Sequence, residues 1–135
     1  MRHAPDSSIT IAALVADHEA REIAEAALKR CTRTIAHVAI ETYSVLTRLP
    51  PPQRLTSTDA AALIDARLPS TYAALAASDY AKAPKRLADA GVNGGATYDG
   101  QIALTALKHD LGIITRDKRA ERTYRALGVP YQLLP

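Results

Sequence analysis

The sequence predicts an α/β domain whose short-stranded, mainly parallel sheet carries helices on both faces. Three observations lead there. Stretches of roughly three to five β-prone residues alternate with helical stretches of about ten, the pattern of a parallel sheet wrapped by helices. The apolar fraction is 47%, yet the aromatics are six Tyr with no Phe and no Trp. Ala, Leu, Ile and Val must therefore fill the core, which suits closely packed helices on a sheet better than a β-sandwich. Finally, 135 residues make a single domain, 1–135, able to bury a core without disulfides or structural metal.

In chain order, Asp6-Ser7-Ser8 reads as a turn entering a short helix over Ile9–Leu14. A second helix spans about Glu19 to Arg30, and Thr32 to Ala36 is a short β-like segment. Val38 to Leu49 is helical and must stop at Pro50-Pro51-Pro52, because proline cannot continue a helix. Thr56-Ser57-Thr58-Asp59 offers N-caps for a helix reaching about Leu68. Ser70 to Leu75 is a candidate strand, and Ser78 to Ala90 a helix interrupted near Pro84, with Gly91 placed to cap it. Asn93-Gly94-Gly95 reads as a flexible loop and Tyr98 to His109 as a helix. Gly112 to Thr115 is a buried strand, Lys118 to Leu127 a helix closed by Gly128, and Tyr131 to Leu134 the last strand.

Several function classes drop out. No apolar run approaches the roughly 20 residues that span a bilayer. Met1-Arg2-His3-Ala4-Pro5-Asp6 is polar and proline-broken, unlike a signal-peptide core. The chain reads as soluble and cytoplasmic, with no membrane partner. Cys31 is the only cysteine, which rules out an intrachain disulfide or a thiolate zinc cluster. The four His are scattered without common spacing, and His37 reads as structural. No P-loop or nucleophile elbow is present. A phosphohydrolase with an Asp-x-Asp pair is disfavoured because Ser8 stands in the second place.

Four acids occupy places that invite chemistry. In a parallel sheet the functional crevice lies beyond the carboxyl ends of the strands, and Asp6 and Asp117 fall there. Each has an ordinary alternative as a helix N-cap. Glu41 shares a helical stripe with Val38 and Val45, so its carboxylate faces the core side, which is costly without a cation or partner; an ion pair with Arg48 is the structural alternative. Asp99 lies in a first helical turn, favoured by the dipole, on a face with Ile102, Ala103 and Ala106. The glycines before it suggest close approach of something to the backbone. Clustered carboxylates repel unless a divalent cation neutralises them, and oxygen-only ligands suit Mg²⁺ or Mn²⁺. The net charge of +3 is weak evidence for a polyanionic partner, but six basic residues between Lys108 and Arg125 face only three acids.

The motifs and their order resemble PIN-domain ribonucleases of the VapC toxin type. The likeness rests on the Asp-Ser-Ser opening, on Ile40–Leu49 around Glu41, on Gly95–Leu104 around Asp99, and on Gly112–Asp117, and covers essentially the whole chain. It implies a PIN-like α/β/α sandwich and a metal-dependent endoribonuclease acting as the toxin of a type II toxin–antitoxin pair. Carried over by position, Asp6, Glu41, Asp99 and Asp117 form the catalytic quartet. Asp6 and Asp99 bind Mg²⁺ (or Mn²⁺) directly, while Glu41 and Asp117 act through water. Ser8 and Thr115 hydrogen-bond those carboxylates, and Arg116, Lys118 and Arg119 position RNA phosphates. The resemblance also implies a cognate VapB-type antitoxin and a homodimer, and the segment from Thr56 to Ala90 is a candidate docking surface for a partner helix. One departure stands out. The expected apolar first strand is here Met1–Pro5, with a charge and a proline that a doubly buried strand resists, so either that strand is nearly vestigial or the chain begins differently from its relatives. That departure keeps open an alternative, a PIN-like module that binds RNA or protein without cutting.

Overall fold

The computed structural model describes residues 1–135. Strands β1 (Arg2–Pro5), β4 (Leu111–Thr115) and β5 (Tyr131–Leu133) form a parallel sheet in the order β1-β4-β5, and β2 (Thr34–Ile35) pairs in parallel with β3 (Tyr72–Ala73). The two pieces lie edge to edge: the Thr32 N–H donates to His3 O at 2.9 Å, on the side of β1 that faces away from β4. Helices α1 (Ser7–Leu14), α2 (Arg21–Lys29), α3 (Ala36–Thr47), α4 (Ser57–Arg67), α5 (Ala77–Asp89), α6 (Thr97–Lys108) and α7 (Ala120–Leu127) make the connections.

Alternation along β4 assigns the layers. Ile114 joins Ile9, Ala12 and Ala13 of α1, Ala24 and Ala27 of α2 and Ile64 of α4 in one buried cluster. Leu111 and Ile113 point the other way, among Ile102, Ala103 and Ala106 of α6 and Ala120 and Tyr124 of α7. Successive strand residues face opposite sides, so a strand buried throughout must have helices on both. Helix α3 flanks the sheet and contributes to both clusters, with Ala39 and Leu46 in the first and Val38 in the second. The result is the α/β/α sandwich expected from the sequence.

The first strand is not vestigial. Arg2 to Pro5 pair with Leu111 to Ile114 without a gap, and two features of parallel pairing explain why. Amide and carbonyl groups of one residue point to the same side, and the side alternates. Asp6 N–H bonds Ile114 O at 3.1 Å while His3 O serves Thr32, so the odd residues face β2 and the even ones β4. The N–H that Pro5 lacks would thus point toward β2, away from the β4 ladder. Arg2 lies at the exposed start of the strand and only Ala4 and Pro5 are fully buried, so no charge enters the double layer.

Other boundaries shift for local reasons. The β-like segments around residues 32–36 and 70–75 contract to two residues each, since their mutual ladder is only two residues long and the first segment meets β1 through the single Thr32–His3 bond. Helix α5 continues through Pro84 without interruption. That proline is exposed, which lets solvent take up the carbonyl it leaves unbonded. The Asn93-Gly94-Gly95 loop is instead ordered as a 3-10 turn over Gly94–Ala96, with Gly94 at φ 58°. Gly128 closes α7 at φ 74°, as expected.

Close approach to a glycine occurs at Gly100 rather than before Asp99. A Cβ there would lie 2.4 Å from Leu87 Cδ2 and 3.2 Å from Val92 Cγ1, because the first turns of α6 press against the end of α5. Helix propensity alone favours Gly→Ala by about 1 kcal/mol; overpacking a core costs about 1–3 kcal/mol. Gly100→Ala is therefore expected to lower stability by roughly 1 kcal/mol in urea denaturation, and a gain in stability would contradict this packing.

Candidate active site

Asp6 ends β1 and caps α1, and its carboxylate is only 3% exposed. Oδ1 accepts from the Ser8 amide at 3.0 Å and the Ser8 hydroxyl at 2.5 Å; Oδ2 accepts from the Tyr124 hydroxyl at 2.8 Å. Because the Ser8 proton is committed to Asp6, Ser8 Oγ receives the Arg116 amide at 2.8 Å and the Thr115 hydroxyl at 3.3 Å. Thr115 Oγ1 in turn receives the Asp117 amide at 3.0 Å. One continuous network thus ties the end of β1 to the turn between β4 and α7. Burial pushes the Asp6 carboxyl above its usual range, against the lowering effect of these donors.

Asp117 caps that turn by accepting the Arg119 amide at 2.9 Å, and the Arg119 guanidinium lies 3.8 Å from the same oxygen. Asp99 sits half-buried in the first turn of α6. Desolvation, then the charges of Asp6, Asp117 and Glu41, push its carboxyl up to about 6. The four acids singled out in the sequence are therefore within electrostatic reach of one another.

Glu41 points inward from α3 with Oε1 buried and without any hydrogen-bond partner, the one such side-chain atom in the protein. The ion pair with Arg48 does not form; Arg48 instead reaches Ser44 Oγ at 3.4 Å. Helix α3 is pinned against α1 by the Thr10–Thr42 hydroxyl pair, 2.6 Å apart, in which Thr42 also donates to Val38 O at 2.7 Å. The backbone of α3 at Glu41 is thereby held against α1. An orphaned carboxylate oxygen among three other acids fits a divalent cation with oxygen ligands. No three acids, imidazoles or thiols are close enough together to hold one ion, so a cation here would have at most two such side chains as direct ligands.

The neighbouring cations differ in availability. Arg116 is drawn away, its Nε donating to Pro135 O at 2.8 Å. Lys118 and Arg119 are exposed. Arg119 and Arg122 line a cavity of about 370 Å³ formed with Gly91, Asn93 and Thr123. Cys31 is buried and its thiol pushed up to about 12 by burial, which makes it unreactive.

A PIN-domain family model matches residues 4–126. The chain is 44% identical over 131 residues to a Mycobacterium tuberculosis protein named Ribonuclease VapC40, covering 97% of this chain and 98% of the relative. It is 39% identical to Ribonuclease VapC27 of the same organism, over 93% of this chain and 92% of the relative. This chain belongs to the PIN-domain family. Its fold also matches a crystal structure of VapBC2 from Rickettsia felis bound to a promoter DNA fragment, with a TM-score of 0.69 at 15% identity over the full length of both chains.

Sequence reasoning about this PIN domain missed Tyr124. Its ring is fully buried, and burial together with the Asp6 charge holds its hydroxyl protonated, so it remains a donor to Asp6. The available signal was a tyrosine on the buried stripe of α7 with Ala120 and Thr123, since a buried Tyr hydroxyl needs a partner. The stacked pair His37–Tyr98, with centroids 5.6 Å apart, was also missed; His37 had read as structural.

The raised carboxyls carry a stability signature. A group whose folded pKa exceeds its unfolded value holds its proton more tightly when folded, so its contribution is fully present below the unfolded value. For Asp99 that contribution is lost as pH rises from about 3.8 to about 6. Without divalent ions, Asp99→Asn should therefore stabilise the protein at pH 7.5, by about 1–2 kcal/mol after allowing for solvent screening of a half-buried group. The gain should vanish near pH 3.5. Thermal melts in EDTA at both pH values check this; equal effects at both would show that Asp99 lies outside the repulsive cluster.

Proposed function

We propose that this PIN domain is a metal-dependent endoribonuclease and the toxin of a type II toxin–antitoxin pair. The observation that carries the reading is the unpartnered, buried Glu41 Oε1, on an acid whose charge, with those of Asp6 and Asp117, is felt at Asp99. The near-full-length identity to two proteins named ribonucleases supports RNA as the substrate.

Asp6 and Asp99 are assigned as direct ligands of Mg²⁺ or Mn²⁺. Such an ion supplies the charge that offsets the carboxylates and the phosphate, and makes water nucleophilic near neutral pH. Mg²⁺ keeps several waters and is often bound through one or two carboxylates, which agrees with the absence of a tighter ligand cage. Asp6 already accepts three hydrogen bonds, which leaves it little capacity beyond a single metal bond. Glu41 Oε1, which has no other partner, would act through water, accepting a hydrogen bond from it and orienting it. Asp117 would act through water as well, and its carboxylate fixes the Arg119 backbone by accepting its amide, with the guanidinium 3.8 Å away and exposed. Lys118 and Arg119 are assigned to the RNA phosphates; Arg116 can join them only by releasing Pro135 O.

The partners follow from the same reading. The VapBC2 complex supports a VapB-type antitoxin as the partner. The segment from Thr56 to Ala90 offers it exposed Tyr72, which lines an apolar groove with Ile40, Tyr43 and Ile64. A homodimer is the proposed assembly. A module that binds without cutting loses its main support, because β1 is a complete strand.

The test is cleavage of total cellular RNA by the purified protein in Mg²⁺, Mn²⁺ or EDTA, beside Asp99→Asn. We expect metal-dependent cutting that falls on the order of 100-fold or more in the variant, with growth arrest relieved by co-expressing the protein of the adjacent reading frame. A folded wild type that leaves RNA intact in both metals would overturn the nuclease assignment. Failure of the neighbour to relieve arrest or to form a complex would overturn the toxin assignment.

A further inference from the structure

An aromatic pair beside the acids has no part in the proposed cleavage chemistry. His37 lies in the first turn of α3, one turn before Glu41. Tyr98 lies in the first turn of α6, next to Asp99. Their rings are within 3° of parallel with centroids 5.6 Å apart. That separation exceeds the thickness of two rings in face contact, about 3.5 Å, so the rings are slid past one another and share only part of their faces. Tyr98 is 56% exposed. An exposed tyrosine here adds nothing to either core cluster, yet stacking on a ring from another helix removes much of its rotamer freedom. The outcome is a pre-ordered tyrosine face, backed by the His37 ring and open to solvent, where α3 and α6, the two helices that supply Glu41 and Asp99, come together.

Flat aromatic surfaces next to a phosphate-handling site suit one ligand class in particular. Unpaired nucleotides are recognised largely by splaying bases onto aromatic faces, and each stacked base contributes substantially to affinity whatever its identity. A duplex keeps its bases internal and gains nothing from such a surface. Cations for the backbone lie on the turn between β4 and α7, at Lys118 and Arg119, whereas the aromatic pair lies on the α3 and α6 side. A single strand bound at the acids thus has cations for its phosphates on one element and an aromatic face for a base on another.

We infer that His37 and Tyr98 form a stacking platform for one unpaired base of single-stranded RNA beside the cleaved phosphate. This deepens the nuclease reading and rests on it for the position of the scissile bond, but base binding is measurable without cleavage. The test uses the full-length protein and a short single-stranded RNA carrying 2-aminopurine, whose fluorescence is quenched on stacking. Binding is measured in EDTA for wild type, Tyr98→Phe, Tyr98→Ala and His37→Ala, with thermal melts to verify folding. We expect quenching in wild type and Tyr98→Phe. Quenching should be lost in Tyr98→Ala, with affinity about tenfold or more weaker, and reduced in His37→Ala. In Mn²⁺, Tyr98→Ala should raise KM with kcat nearly unchanged.

Wild-type affinity and quenching in folded Tyr98→Ala would overturn the platform. So would equal binding of the same sequence as a duplex, or a loss in Tyr98→Ala confined to the complex with the antitoxin, which would assign the surface to a protein tail. If wild type cuts no RNA in either metal yet Tyr98→Ala weakens single-strand binding, the nuclease reading fails and the platform stands.

Discussion

The carboxylate of Asp6 is nearly sealed from water, and much of the local structure follows from supporting it there. Burying a charge is costly unless donors replace the lost water, and three arrive from different parts of the chain. Ser8 supplies an amide and a hydroxyl, which starts α1 at Asp6. Tyr124 supplies a hydroxyl, which fixes the rotation of α7 about its axis. Ser8 also holds the Arg116 amide, so the turn after β4 is set by the same side chain that serves Asp6. These donors lower the carboxyl while burial raises it, and burial is the larger effect. Asp6 is thus structurally well held but electrostatically uncomfortable.

The discomfort is shared. Asp99 feels Asp6, Asp117 and Glu41 across a partly desolvated cleft, where like charges repel more strongly than in water. Nothing in the chain neutralises the group: Arg119 sits by Asp117 at 3.8 Å with its side chain almost wholly in solvent, where screening makes it weak. The acids stay together because their backbones are fixed by other means, the β1–β4 ladder for Asp6 and Asp117 and the Thr10–Thr42 contact for α3. Such an arrangement costs stability in the free protein and has a physical reason to bind cations. Glu41 Oε1 lies buried in this arrangement with no partner.

How much of this was legible in the sequence depended on whether a local rule sufficed. Glu41 could be read from helical spacing, because a stripe holding Val38 fixes the direction of everything one turn away. Gly128 was legible as a helix stop, since its positive φ is a property of the residue. The first strand was misjudged because a proline was weighed without its parity: Pro5 is harmless where its missing N–H faces β2, and its orientation depends on a pairing with β4 more than a hundred residues later. Pro84 was misjudged for a related reason, since exposure decides whether water can accept the carbonyl it frees. Gly100 and Tyr124 answer to partners on other helices, Leu87 in one case and Asp6 in the other. No spacing within α6 or α7 names those partners.

The placement of the acids also explains why ordinary helix-capping readings and a catalytic reading both describe the same residues. In a parallel α/β sheet each strand's carboxyl end delivers the chain to a helix N-terminus, where unbonded amides and the helix dipole favour negative charge. Asp6 caps α1, Asp99 lies in the first turn of α6, and Asp117 caps the turn into α7. Glu41 lies farther along, past the first turn of α3. It gains least from a helix end, and it is also the acid left with an unpartnered oxygen. Amide bonds to Asp6 and Asp117 and the helix dipole at Asp99 lower the cost of gathering these three carboxylates. The fourth acid has no such compensation, which makes Glu41 the residue whose position is hardest to explain by folding stability alone.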